Sequence, residues 1–413
     1  MNLLFFHRPL YAAVGAVTTK QFDPVQKRCR YGVLIAARNE EAVIAHLCDS
    51  IKRQSYDGEV TIFVVADNCT DNTAAAAKSA GAVVYERQDL DHRTKGYALQ
   101  FLVKCIDRDY GIQSCDGYFV FDADNLLEKD FIARMNEAFA AGNRVVTSYR
   151  ASKNFDDNAI SAMYGLHWLR TVRLEHRARS VFGLSTRIQG TGFLMASDLL
   201  KNGWNYTSLT EDRALCADLT AAGERITYCD AAVFYDEQPT DFATSVRQRL
   251  RWAKGHWQAV WETGPKLLKK MLSRPFCKDG FIAFDMLGTV LPMGSIGTVR
   301  RILLYIGKLA ACVAAGAVLA KYVGIGRALV LWAAKDIAAK ALVAAYVMFA
   351  ERKRLPKIPI YKKVWYCFTF FVFDVLGRWC GLAALFKKVE WTPIKHDRSF
   401  GIDSVNKSGG DSL

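Results

Sequence analysis

Three short clusters in this chain combine residue types and spacings that suit chemistry. The first is Asp122-Ala123-Asp124, directly after the apolar run Tyr118–Phe121. Two carboxylates one residue apart at the end of a buried strand can hold a divalent cation against a diphosphate. Hard cations take oxygen ligands, and Mg2+ typically binds through one or two carboxylates plus substrate phosphates. The second is Thr210-Glu211-Asp212-Arg213. A carboxylate there, facing an acceptor hydroxyl, can act as general base, an effect of about 10²–10⁴-fold. In isolation the same residues read as the N-terminal cap of a helix over ALCADLTAAG. The third is Gln248-Arg249-Leu250-Arg251-Trp252, followed by Ala253-Lys254-Gly255-His256-Trp257. On a helix, Gln248, Arg251 and Trp252 share one face. A guanidinium suits a pyrophosphate and an indole face suits a sugar ring. The plainer reading is a basic amphipathic helix lying on a membrane.

These clusters need a scaffold, and the preceding sequence supplies one. YGVLIAA from Tyr31 reads as a buried strand ending at Arg38-Asn39-Glu40, and EAVIAHLCDSIKRQ follows with helical periodicity. VTIFVVAD is a second strand, NTAAAAKSAG a helix closing on Gly81, AVVYER a third strand, TKGYALQFLVKCIDRDY a helix and GYFVFDAD a fourth strand. Strands alternating with helices predict an α/β fold with a mostly parallel sheet. Such sheets bind ligands beyond the carboxyl ends of their strands, where Asp67, Asp122 and Asp124 are expected to lie.

Length and composition bound the rest. With 413 residues, 51% hydrophobic and 23% charged, the chain predicts two or three domains and excludes a disordered protein, a small disulfide scaffold and a wholly polytopic membrane protein. The net charge is +14, and residues 264–413 carry the excess, with 24 Lys and Arg against 9 Asp and Glu. No recognition motif accompanies that charge, so nucleic acid is not an expected partner. Basic loops beside apolar stretches fit a membrane with anionic lipid. Eleven scattered cysteines without a C-x-x-C pair predict free thiols and a cytosolic catalytic part.

The predicted organisation is an apolar, interfacial segment at 1–30, a catalytic domain at 31–262, interfacial helices at 263–300, transmembrane or membrane-associated helices at 301–390, and a partly disordered cytosolic tail at 391–413. The candidate spans are 302–323, 328–350 and 364–386, interrupted by Lys308, Lys335, Asp336, Lys340, Asp374 and Arg378. Charges inside spans usually face a bundle interior or a polar cavity. Arg170, Arg173, Arg177 and Arg179 read as a solvated or membrane-facing helix side. His256 and Trp257, after Q-x-x-R-W, read as packing residues by default, with contact to acceptor or phosphate as the alternative.

The order D-x-D, T-E-D, Q-x-x-R-W, after VLIAARNEE and VVADNCTDNT, resembles the processive branch of glycosyltransferase family 2, the cellulose, chitin and hyaluronan synthases and their bacterial relatives. The resemblance covers roughly Tyr31 to Glu262. It implies a GT-A-like nucleotide-sugar-binding domain, a plasma-membrane multi-pass enzyme and an inverting, metal-dependent transfer. The sugar, of the glucose or N-acetylglucosamine class, would pass from a UDP-sugar to a growing β-linked polysaccharide. The alternative acceptor is a lipid taking one or a few sugars. By the same resemblance Ala37, Arg38 and Glu40 border the nucleotide, Asp67 binds uracil or ribose, and Lys95 and Arg251 meet the phosphates. Asp122 and Asp124 hold the sugar-diphosphate with Mg2+ or Mn2+. Asp212 is the base, with Glu211 and Asp124 as further catalytic candidates. Gly190, Thr191, Gly192, Gln248 and Trp252 border the acceptor. The family usually has clear spans before the catalytic domain, and this sequence does not show them. A complete polymer channel would therefore need a partner subunit or a homo-oligomer.

Overall fold

The computed structural model describes residues 7–314, 318–390, 399 and 401–404. Most of the predicted tail lies outside the described residues. Eight strands form one sheet: β1 (Tyr31–Ala37), β2 (Val60–Asp67), β3 (Val83–Arg87), β4 (Gly117–Asp122), β5 (Leu126–Leu127), β6 (Val145–Ser152), β7 (Phe193–Ala196) and β8 (Ile226–Asp236). Their order is β3-β2-β1-β4-β7-β6-β8-β5. β3, β2, β1 and β4 run parallel, as the alternating pattern predicts. β7 is antiparallel to β4 and to β6, while β8 runs parallel to β6.

The strands are near-continuous apolar runs because both faces are covered. One core gathers Leu34, Val65 and Val120 against Leu99, Leu102 and Ile106 of helix 95–110. The opposite face sets Val33, Ile35, Val64, Phe119 and Phe121 against Ile44, Leu47 and Phe131. The helices in order are α1 (Arg8–Val17), α2 (Ile44–Lys52), α3 (Thr73–Ser79), α4 (Lys95–Tyr110), α5 (Phe131–Ala140), α6 (Ala159–Thr171), α7 (Arg177–Val181), α8 (Glu211–Ala222) and α9 (Phe242–Ser273). α10 (Lys278–Val290), α11 (Met293–Ala314), α12 (Val318–Ala350) and α13 (Ile360–Phe386) follow. A π-helical turn, Val172–His176, joins α6 to α7.

The C-terminal helices differ in part from the sequence expectation. Among the described residues α13 is the one single helix long and apolar enough to cross a bilayer, and α10 with α11 passes the same test as a pair bent by 70°. Four of the six charges expected to break the spans, Asp336, Lys340, Asp374 and Arg378, are paired between helices. Asp374 of α13 accepts from Arg170 of α6 at 2.8 Å and also faces Lys340 of α12, while Arg378 meets Asp336 at 2.8 Å. The arginine series is not a solvated side. Arg177 and Arg179 are buried, Arg177 holding Asp230 through two bonds of 2.7 and 2.8 Å and Arg179 holding Asp285 at 2.7 Å. Arg173 pairs with the buried Glu351. These pairs tie α6, the π-helical turn and α7 to β8 and to the C-terminal segments, because a buried guanidinium is costly without a carboxylate partner.

Candidate active site

β1, β2 and β4 end side by side, and the register places Ala36 opposite Asp122 and Asp67 opposite Arg87. Beyond these ends lies a cavity of about 1110 Å³. Ala37, Arg38, Glu40, Asp67, Lys95, Asp122, Asp124, Gly190, Glu211, Asp212, Gln248, Arg251 and Trp252 all line it. Of the sequence candidates, Thr191 and Gly192 stand behind the wall. Thr191 takes the Asp122 N–H on its hydroxyl at 2.9 Å and donates to Asn125, so it sets the turn that carries the D-x-D pair. Gly192 has φ +66°, and a Cβ there would overlap the ring of Phe234.

The end of the cavity beside β2 is held by ion pairs. Asp67 sits between Arg38 and Arg87, with Arg87 donating at 2.6 Å. Lys95, the first residue of α4, pairs with Asp122 and donates to the Gly190 carbonyl at 2.9 Å. Burial works against its ammonium, and the carboxylates of Asp122, Glu211 and Asp212 more than reverse that, raising its pKa.

Asp122 and Asp124 are joined by Asp236, the last residue of β8, and one carboxylate oxygen from each lies within 4.8 Å of the others. The sequence reading missed Asp236, which lies 112 residues beyond Asp124. An irregularity in the β6–β8 pairing skips from Cys229 to Val233, so that Asp236 pairs with Ser152 and its carboxylate meets Arg150. Asn125 donates to Asp236 at 2.9 Å, Gln238 donates to it at 2.6 Å, and the Glu237 N–H donates to Asp124 at 3.1 Å. Burial first, and then Asp124, push Asp236 up to about 6 despite Arg150. Three hard oxygen donors carrying mutual repulsion are a donor set suited to a divalent cation. The available clue was AAVFYD, an apolar run ending in Asp like FVFDAD. Arg150, whose guanidinium stacks 4.0 Å from the ring centre of Trp168, was likewise missed.

T-E-D opens α8, with Thr210 in the capping position but making no side-chain cap. The capping expectation therefore fails for Thr210. Its hydroxyl is buried without a partner and lies against Gly255 of α9, where any Cβ would overlap it. This close approach sets T-E-D against Q-x-x-R-W, two motifs far apart in the chain. Asp212 projects toward Gly190, 4.0 Å from where a Cβ on that glycine would stand. Burial is the main cause of a Glu211 pKa raised to about 7, Lys95 opposing it and Asp212 adding to it. On α9, Trp252 makes edge contacts with Tyr164 and Trp168, both at 5.7 Å, and the Gln248 carbonyl oxygen is buried without a partner.

A family model described as "Glycosyltransferase like family 2" matches residues 29–255, more than half of the chain. The chain belongs to glycosyltransferase family 2. This family 2 glycosyltransferase is 26% identical over 302 residues to an N-acetylglucosaminyltransferase of Azorhizobium caulinodans, covering 68% of this chain and 72% of that one. It is 24% identical over 239 residues to the probable glycosyltransferase YdaM of Bacillus subtilis, covering 56% of each. A third relative, a beta-monoglucosyldiacylglycerol synthase of a Nostoc strain, is 24% identical over 277 residues, 64% of this chain and 56% of that one. The chain thus spans little more than half the length of two of these relatives. Among solved structures, a mannosyltransferase from Pyrobaculum calidifontis, in complex with GDP-Man and Mn2+, shares the fold with a TM-score of 0.53 at 17% identity. That match covers 92% of this chain and 95% of the other.

Proposed function

We propose that this family 2 enzyme is a membrane-bound, inverting hexosyltransferase that moves a sugar of the glucose or N-acetylglucosamine class from a UDP-sugar to a lipid hydroxyl. The observation that carries the reading is the shared cavity: a carboxylate triad and Lys95 stand at one end, and Asp212 faces the same space. Residues 31–262 would form the catalytic unit and the later helices its membrane attachment. The relatives named for N-acetylglucosaminyl transfer and for glucosyldiacylglycerol synthesis support the sugar class.

Arg38 and Asp67 would hold the nucleoside, and Lys95 and Arg251 the diphosphate. Asp122, Asp124 and Asp236 would hold Mg2+ or Mn2+, which when bound would neutralise charge on the departing diphosphate. Asp212 takes the proton of the acceptor hydroxyl, whose oxygen attacks the sugar carbon opposite the leaving group. A single displacement inverts the anomeric centre, so an α-linked donor yields a β-linkage. Trp252 gives the incoming group an aromatic wall, and Gln248 a hydrogen-bond acceptor.

One observation favours a lipid acceptor over polymer extension. The cavity reaches α13, where the pairs Asp374 with Lys340 and Arg378 with Asp336 line its far end. We read these interhelical ion pairs as closing that end of the cavity rather than lining a channel. The 27-residue α13 and exposed Trp365, Phe368, Trp379 and Phe386 on it support membrane contact. The test is UDP release from a panel of UDP-sugars, with radiolabelled products sized by mass. Lipids carrying one or a few sugars are expected, and long polymer would overturn the lipid reading.

A further inference from the structure

The wall beside Asp212 carries several buried donors that lack a full set of partners among the described residues. Arg213 follows Asp212 on α8, and its guanidinium donates to the Thr289 carbonyl at 3.0 Å, with no carboxylate pair among the described residues. Arg187, on the segment leading to Gly190, reaches the Thr171 hydroxyl at 3.3 Å and approaches Glu175 only to 3.7 Å, and its buried Nε has no partner. That Glu175 is already engaged by Arg179 at 2.9 Å. The Gln189 side-chain nitrogen is buried and has no partner among the described residues. His256, on α9, makes no hydrogen bond among the described residues. All four side chains line the cavity that holds Asp212. Burial lowers the pKa of Arg187 although Glu175 opposes it, and burial together with Arg187 pushes Arg213 down to about 10 although Asp212 opposes it.

We propose that Arg187, Gln189, Arg213 and His256 form an anion site for the phosphate of the acceptor lipid. A carboxylate is satisfied by one bidentate arginine, whereas these donors come from three separate elements and suit a tetrahedral oxyanion. Unpaired buried donors destabilise the free protein, a cost that a bound anion removes. The same space is bounded by Thr289, Leu291 and Met293 at the α10–α11 bend, where an apolar tail can leave toward the membrane. The assignment rests on the lipid-acceptor reading above and names its class: a phospholipid whose headgroup carries a free hydroxyl. In transfer that hydroxyl gives its proton to Asp212 and its oxygen bonds to the sugar carbon. The bond from that carbon to the diphosphate breaks, and its electron pair leaves with UDP. The clamped phosphate changes no bond.

The test is binding of short-chain phosphatidylglycerol and of the matching diacylglycerol to the detergent-solubilised chain, read without turnover. Phosphatidylglycerol is expected to bind at least tenfold tighter. Arg187→Gln and Arg213→Gln should abolish that preference with UDP affinity unchanged, and Lys353→Gln on the exposed loop should retain it. Equal binding of both lipids by the parent chain overturns the anion site whether or not the variants fold. Loss of preference in Lys353→Gln overturns it too, by assigning the effect to surface charge, and inorganic phosphate binding as tightly as the lipid would assign the site to a free anion. Binding without glycosylation under any donor would refute the functional reading and leave the anion site. Glycosylation of both lipids at equal rates would do the reverse.

Discussion

The two ends of the cavity are built on opposite principles. At the triad end nearly every polar group has a protein partner: Asp236 takes bonds from Arg150, Asn125 and Gln238, Asp67 from Arg38 and Arg87, and Asp122 from Lys95. At the Asp212 end, Thr210, Gln189, Gln248 and the Nε of Arg187 are buried with unmet hydrogen bonds. The first end is preorganised, so a charged leaving group would find its dipoles already aimed. The second is incomplete in the protein alone, which is the basis of the anion-site proposal. A bound substrate is one way in which a fold offsets such costs.

Substitutions at the two ends should therefore separate cleanly. The largest effect is expected for Asp212→Asn: kcat for transfer should fall about 10³-fold, with UDP affinity within about twofold. Full activity in that variant would remove Asp212 as the base. Next, Asp236→Asn should weaken Mn2+-dependent UDP binding by about tenfold to a hundredfold, read by titration with and without chelator. An unchanged, metal-independent affinity would break the triad assignment.

Glu211 gives a pH signature. Its folded pKa, about 7, lies above the ordinary glutamate value, so the folded chain holds that proton more tightly. Its contribution is fully present below the unfolded pKa and is lost as pH rises toward about 7. Glu211→Gln should thus stabilise the metal-free chain by on the order of 2 kcal/mol at pH 8 and by almost nothing at pH 4. Denaturant unfolding at the two pH values checks this, and a pH-independent difference would contradict it. The smallest effect belongs to the acceptor end. Gln248→Leu removes an unmet buried acceptor and should stabilise the chain by about 1 kcal/mol while raising the acceptor KM. A loss of stability with KM unchanged would make Gln248 a structural residue.

Much of the donor end was legible in the residue order. Buried runs ending in Asp67 and Asp122 announce strands whose carboxyl ends share one edge, and alternating helices force those strands parallel. Asp236 escaped because its strand comes after mixed elements, and its position depends on an irregular pairing that no local pattern records. The arginines of α6 and α7 were misread for a related reason. A row of charges looks solvated until its partners, Asp230, Asp285, Glu351 and Asp374, arrive from distant segments.

The sequence by itself determined the chemistry-bearing motifs, the parallel half of the sheet and the resemblance to family 2, because these depend on neighbours within one or two turns of chain. Only the tertiary structure brought the third carboxylate to the D-x-D pair, set Thr210 against Gly255, and buried the Nε of Arg187 without a partner among the described residues. Each of those depends on contacts between residues tens to more than a hundred positions apart. Such contacts are chosen by packing and by the need to pair buried charge.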